Sequence, residues 1–416
     1  MQKRDEMTKK LYDIDAYATE FEAIVLSCEA RTVKVANAGK GETKKGKNNE
    51  GATSEKVVYD VVLDQTLFFP EEGGQSPDKG VLGGATVEDV QTKNGIITHT
   101  VDKSLAVGES VHGIIDWKHR FSNMQQHSGE HIFSGMVHRL YGFKNVGFHL
   151  SDNIVSMDFD GVLTEADVAK VEYLVNEAIV KNMPITVTFP DKETLAQLEY
   201  RSKIEIEGQV RIVTIGDVDV CACCAPHVRY TGEIGMLKVM SLQNYKGGVR
   251  ITILCGFRAL EAFREKNAII LALTNSMTCN QEVLPDRIEK LKASNQDYKY
   301  RLAEAKQKLM QIKIAQISAE QEHVILFGQD IENPVMRNTV NELTAKHAGV
   351  CGIFVGDEVE GYNFIIGSAN VDCTKVAALL REATKAKCGG SKQMIQGSVQ
   401  APKALLRAVM EELEEM

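Results

Sequence analysis

The chain has 416 residues, too long for one hydrophobic core, so roughly two to four domains are expected. Hydrophobic residues make up 44% and charged residues 25%, and no apolar run reaches the roughly 18–20 residues needed to cross a bilayer. A formal net charge of −9 excludes a uniformly basic, nucleic-acid-coating surface, although residues 372–407 hold seven Lys or Arg against two acids.

The opening "MQKRDEMTKKLYDID" is charged and lacks the apolar stretch of a signal peptide, which points to a cytoplasmic protein. Nine cysteines, an odd number scattered through the chain, do not make a disulfide framework. Three of them crowd into "CACCAPH", a spacing suited to metal binding or catalysis.

The fold class expected is multidomain α+β. Residues 1–118 read as a β-rich, barrel-like domain: "FEAIVLSCEA", "VVYDVVLDQTLFF", "ATVEDVQ" and "GIITHTV" are short β-type runs cut by Gly, Pro, Asn and Asp. Between the first two, "NAGKGETKKGKNNEGATSEK" shows no pattern and reads as a loop. Residues 119–257 mix helices and strands. "TEADVAKVEYLVNEAIVKN" is a capped amphipathic helix, and "RIVTIGDVDV", "IGMLKVMSL" and "VRITILC" are strands. Residues 258–322 form a helical rod or hairpin with Pro285 as a break. Ile288, Leu291, Tyr298, Leu302, Ala305, Leu309 and Ile312 follow a three-four spacing, interrupted by Asn295. Residues 323–416 alternate β and α and form a small α/β domain.

The chemistry concentrates in "QQHSGEHIFSGMVHRL", residues 125–140. At about 100° per residue, Phe121, Ile132, Phe133, Met136, Val137 and Leu140 share one side of a helix, while His127, His131 and His138 fall on another arc. Two imidazoles at i and i+4 can grip one ion. "HSGEH" is also the inverted zinc-protease pattern with Glu130 as base, a short motif that chance often supplies. Further ligands decide between these readings. In "CCAPHV", Cys223 and His227 are separated by three residues, a spacing that lets a turn bring thiolate and imidazole together. His127, His131, Cys223 and His227 make a His₃Cys set suited to Zn²⁺. Cys221 and Cys224 lie close by, and the spacing favours Cys223.

"LDQTLFFPEEGGQSPDKG" (63–80), "MQQHSGEH", "CCAPHVRYTGEIG", "KGGVRITILCG" and "CGGSKQMIQGS" follow one another in the order seen in the editing half of alanyl-tRNA synthetases. They resemble still more the freestanding alanyl-tRNA editing proteins of the long type, with a C-terminal DHH-associated module. The resemblance runs from about residue 20 to 410, and ATP-dependent charging is not expected. It implies hydrolysis of tRNA(Ala) mischarged with serine, with glycine as a second candidate, and Zn²⁺ held by His127, His131, Cys223 and His227. It also implies a Gly-Gly-Gln segment at Gly73, Gly74 and Gln75, and a serine-sensing threonine at Thr66. Gly389, Gly390 and Lys392 would meet an anionic part of the tRNA, and the rod or the C-terminal domain could pair two copies of the chain. Three departures stand out: Cys224-Ala225-Pro226 between the Cys and His ligands, Glu72 where many relatives carry a third glycine, and an apparent insertion at 36–55. The rival readings are a zinc peptidase and a non-catalytic tRNA-binding protein.

Overall fold

The computed structural model describes residues 7–36, 53–202 and 209–412. They form two compact units, Met1–Ile269 and Ile270–Met416.

In the first unit eight strands precede the first α-helix: β1 (Lys9–Lys10), β2 (Glu20–Ala36), β3 (Thr53–Leu63), β4 (Gln65–Thr66), β5 (Gly80–Leu82), β6 (Ala85–Lys93), β7 (Ile96–Val101) and β8 (Ser110–Ile115). Six of them close into a barrel in the order β2-β3-β7-β6-β5-β8. The period-2 alternation of side chains turns Ala23 and Val25, Val61 and Leu63, Ala85 and Val87, and Val111 and Ile115 into its core. The short β1 pairs in parallel with β4, Lys10 against Thr66. The patternless segment expected as a loop is shorter than its composition suggests, because Thr53–Lys56 belong to β3 and pair with β2 from Ala36 to Val33. Glu55, Lys56 and Val57 are exposed, so this end of the ribbon buries no face and shows no hydrophobic alternation. The rest of that segment, residues 37–52, lies outside the described residues.

The long helix α1 (Trp117–Tyr141) follows, capped by the Asp116 carboxylate at its start and by left-handed Gly142 at its end. Every residue from Asn123 to Val137 is buried. The histidine arc therefore does not lie off the core, as its polarity suggests; it faces a second buried surface. His138 alone of the three is exposed.

Beyond α1 come β9 (Asn145–Leu150), β10 (Val155–Phe159), α2 (Glu165–Val180), β11 (Ile185–Thr188), α3 (Lys192–Gln197), β12 (Ile212–Ile215), β13 (Asp219–Ala222), β14 (Leu237–Tyr245) and β15 (Gly248–Cys255). They make a four-stranded sheet, β14-β15-β10-β9, and a three-stranded sheet, β11-β12-β13. A reciprocal capping box between Thr164 and Asp167 starts α2. "RIVTIGDVDV" is a hairpin and not a single strand, since Gly216 takes φ +47° and Val218 N–H bonds back to Ile215 O.

One buried ion pair ties the barrel to α1. Arg120 and Asp78 are both fully buried; Arg120 Nε donates to Asp78 Oδ1 and Oδ2 at 2.9 and 2.8 Å, while its Nη groups donate to Asp78, Leu67 O and Ala16 O. Asp78 also accepts from Phe69 N at 2.7 Å. These bonds lock the segment running from Thr66 toward Gln75 against the helix that carries the histidines.

The helix α4 (Gly256–Met277) leads from the first unit into the second, where α5 (Leu284–Ala315) begins with Pro285 in its first turn. Pro285 starts this helix, because its missing N–H is unneeded there. The sequence-predicted seam does not pack within the chain: Leu291, Tyr298, Leu302, Leu309 and Ile312 are all at least half exposed. The packed face of α5 instead carries Met310 and Ile314, both buried, and the half-buried Ala303. The remaining elements are β16 (Val324–Gly328), α6 (Asn333–Lys346), β17 (Cys351–Asp357), β18 (Gly361–Gly367), α7 (Cys373–Thr384), β19 (Lys387–Gly390), β20 (Met394–Val399) and α8 (Lys403–Glu411). The sheet runs β16-β17-β18-β20-β19 with helices on both faces. Ile353, Val355 and Ile365 meet α5 and α6, while Phe354, Phe364 and Ile366 meet α7 and α8. Among the described residues no helix is long and apolar enough to cross a membrane.

Replacing Asp78 by Ala leaves the Arg120 guanidinium buried without its counter-ion and should cost about 3–5 kcal/mol in the first unit. The chain's single tryptophan, Trp117 on α1, reports that transition by fluorescence in a denaturant titration. An unchanged midpoint would contradict the coupling.

Candidate functional site

His127 and His131 stand one turn apart on α1 and so share a face. The loop after β13 faces them. Its shape is fixed by Arg211, whose Nη1 donates to Cys223 O at 2.8 Å and Ala225 O at 2.9 Å, and whose carbonyl accepts from Cys223 N. Val228 N donates to Ser128 Oγ at 3.3 Å and fastens the loop to α1.

The four donor atoms of His127, His131, Cys223 and His227 all lie within 4.8 Å of one another. Cys223 Sγ is 3.5 Å from His127 Nε2 and 3.4 Å from His227 Nε2. The imidazole centroids are 5.4, 5.0 and 4.7 Å apart. Each ring is oriented through its other nitrogen. His127 Nδ1 donates to Gln75 Oε1 at 2.8 Å, His131 Nδ1 to Asp219 Oδ2 at 3.0 Å, and His227 Nδ1 to Ser128 Oγ at 3.0 Å. With the proton on Nδ1, Nε2 keeps a free lone pair toward the centre, the arrangement that holds histidine ligands in place. Asp219 is held in turn by Arg201 through two bonds of 2.7 and 2.8 Å.

The electrostatics favour a cation. Burial pushes the Cys223 thiol up, but the imidazoles of His127, His131 and His227 outweigh it and hold Cys223 well below the usual thiol range. Burial alone pulls His131 down, yet Cys221, Cys223 and Asp219 outweigh that and draw positive charge to the ring. Burial lowers His227 to about 3, so this ring is neutral. Three imidazole nitrogens and one thiolate, with their second nitrogens already engaged, form a donor set that fits Zn²⁺.

The neighbouring cysteines point elsewhere. Cys224 Sγ sits where a Cβ on Gly73 would approach it to 3.2 Å, and burial first, then Cys223, pushes its thiol up. Cys221 groups instead with His131 and Asp219.

Comparison with known proteins fits this geometry. Residues 1–119 match the family model described as tRNA synthetases class II (A), and residues 210–252 match the threonyl and alanyl tRNA synthetase second additional domain. Alanyl-tRNA editing protein AlaX-L of Pyrococcus horikoshii is 32% identical over 269 residues, 59% of this chain and 67% of the relative. The chain belongs to the alanyl-tRNA editing protein family. A second member, Aarsd1 of Danio rerio, is 28% identical over 393 residues and is matched over 92% of both chains. An alanine–tRNA ligase of Natronomonas pharaonis is 30% identical over 320 residues, which cover 74% of this chain and 32% of the ligase.

The other residues singled out in the sequence fall in three places. Gly73 and Gly74 have φ of +63° and +82°, and a Cβ on Gly74 would lie 2.5 Å from Phe148 O, so this turn requires glycine. It delivers Gln75, fully buried, to His127; Gln75 Nε2 has no hydrogen-bond partner among the described residues. Thr66 is buried beside the barrel interior, 2.9 Å from His99 Nε2. Since His99 Nδ1 must donate to Val61 O (3.2 Å) and burial lowers this ring to about 4, His99 Nε2 accepts and the Thr66 hydroxyl donates to it. Phe68 N donates to Thr66 Oγ1, which leaves one lone pair. Gly389, Gly390 and Lys392 lie in the second unit at the β19–β20 hairpin, exposed on the edge strand.

Sequence reasoning missed the supports. Asp219 alternates with Cys221 on β13, and Ser128 follows His127 directly; both signals sit inside the motifs already marked. Arg201 carries no such signal.

Asp219→Asn should lower zinc affinity about 10- to 100-fold without unfolding the chain. Cys223→Ala should lower it further. Competition against a coloured chelator measures both, and wild-type affinity in the two variants would rule this site out as the metal centre.

Proposed function

We propose that this protein is a deacylase that hydrolyses the ester of tRNA(Ala) mischarged with serine, with glycine as a second candidate. The observation that carries the reading is Gln75: its carbonyl oxygen is engaged by His127 while its buried amide N–H₂ stays unpaired beside the quartet. The membership in a family of alanyl-tRNA editing proteins supplies the substrate class.

The substrate is an activated ester, so the site must place water on the carbonyl carbon and stabilise the oxyanion that develops. His127, His131, Cys223 and His227 would hold Zn²⁺, which when bound supplies Lewis acidity beside the ester. Gln75 Nε2 donates its free N–H groups to the carbonyl oxygen as charge grows there. The Gly73–Gly74 turn, bare of side chains, lets the ester approach. Thr66 retains one lone pair, and a serine hydroxyl donating to it would be distinguished from the methyl group of alanine; a site that satisfies a buried polar group selects far better than one that sorts by size. Glu130, the base of the peptidase alternative, has its Oε1 bonded to Ser134 Oγ at 2.7 Å and Asn145 Nδ2 at 2.6 Å, which disfavours that reading.

In the second unit, the exposed edge at Gly389 and Gly390 with Lys392 would touch the tRNA backbone. The exposed stripe of Leu291, Tyr298, Leu302, Leu309 and Ile312 on α5 would pair with a second copy of the chain.

The test is deacylation of Ser-tRNA(Ala) against Ala-tRNA(Ala). The wild type should hydrolyse the seryl ester selectively, and Gln75→Ala, assayed at saturating zinc because His127 loses its hydrogen-bond partner, should lower kcat by roughly 10²–10³-fold. Equal rates on both esters, or full activity in Gln75→Ala, would overturn the proposal.

A further inference from the structure

Beside the quartet lies a second group of polar side chains that the reaction above does not use. Tyr12 is only 2% exposed, yet its Oη has no hydrogen-bond partner among the described residues. A buried tyrosine hydroxyl ordinarily finds one. The ring packs edge-on to Phe69, which fixes its direction. Burial first, then Asp13, Glu72 and Cys224, pushes its phenol up, so it keeps its proton; Glu72 Oε2 is likewise buried with no hydrogen-bond partner among the described residues.

Two chain segments place this group against the quartet. Glu72 begins the turn that continues through Gly73 and Gly74 to Gln75, which touches His127. Cys224, which packs over Gly73, directly follows Cys223. The nearby cations leave one carboxylate loosely matched. Arg211 Nε lies 3.2 Å from Asp13 Oδ1, an ion pair without hydrogen-bond geometry, so Asp13 has the closer counter-ion of the two carboxylates. Lys10 Nζ is 4.0 Å from Glu72 Oε2, beyond hydrogen-bond range, and both side chains are about one third exposed (33% and 35%).

We propose that Glu72 and Tyr12 form a subsite for the free α-ammonium group of an aminoacyl ester, so that the site accepts aminoacyl-tRNA and turns away N-blocked and peptidyl esters. This rests on the deacylase reading. An ammonium carries three N–H donors and no acceptor, which matches a carboxylate oxygen and a phenol oxygen that both lack partners among the described residues. It would displace the distant Lys10 as the partner of Glu72. An acylated nitrogen has lost both the charge and two of the donors, and brings bulk against a wall only 2% exposed at Tyr12.

Calorimetry on the zinc-loaded full chain tests this with two hydrolysis-resistant probes, 3′-(L-seryl)amino-3′-deoxyadenosine and its N-acetyl derivative. The wild type should bind the free amine at least about tenfold more tightly than the acetylated probe, the scale of a hydrogen bond to a charged group. Glu72→Gln and Tyr12→Phe should bring that ratio toward one while leaving the affinity for the acetylated probe and the zinc content as they are. Glu72→Asp should keep part of the preference, which a purely structural role for Glu72 would not produce. A wild-type ratio near one, a ratio unmoved by either variant, or no binding of either probe would overturn the subsite. The binding ratio involves no turnover, so a chain that prefers the free amine but leaves Ser-tRNA(Ala) intact would support the subsite and sink the deacylase.

Discussion

Everything at the site follows from where three imidazole protons are held. His127, His131 and His227 each donate Nδ1–H to a different neighbour, Gln75, Asp219 and Ser128. Each therefore turns its Nε2 toward the same small volume, where the Cys223 sulfur waits. No single element could do this. The barrel-side turn provides Gln75, β13 provides Asp219, and α1 itself provides Ser128. The site is thus a junction of three parts of one unit, and its geometry is only as firm as their packing.

That packing explains why polar residues fill the centre of a helix buried on all sides. Between Asn123 and Val137 α1 meets no water, so every polar group there must find a partner. Gln126 bonds both N–H and C=O of Cys255, and Gln125 Nε2 bonds Glu233 O although its Oε1 has no partner among the described residues; just before this stretch Arg120 meets Asp78. The same rule makes the exceptions informative. Gln75 Nε2 and Tyr12 Oη are buried and lack partners among the described residues; a substrate with a carbonyl oxygen and an ammonium group would satisfy both.

Much of this was legible in the sequence because the ligands come as two local dyads. His127 and His131 obey helical periodicity, and Cys223 and His227 fit one turn, so spacing alone nominates them. The barrel strands were legible where β-branched residues alternate, as in "ATVEDVQ". The hairpin inside "RIVTIGDVDV" was not, since a run of alternating apolar residues looks continuous until Gly216 reverses it. On α5 both Leu302, Leu309 and Ile312 and Ala303, Met310 and Ile314 are apolar, and periodicity cannot tell which of the two stripes α6 and the adjoining sheet cover. Tyr12 gave no signal either. Its importance depends on contacts with residues sixty and more than two hundred positions away, which no local pattern encodes.

The most direct test of the central claim is X-ray absorption at the zinc edge of the loaded protein. The convergence of His127, His131, Cys223 and His227 predicts three nitrogen scatterers at about 2.0–2.1 Å and one sulfur at about 2.3 Å. A shell with two or more sulfurs, drawing in Cys221 or Cys224, or a shell with none, would contradict it.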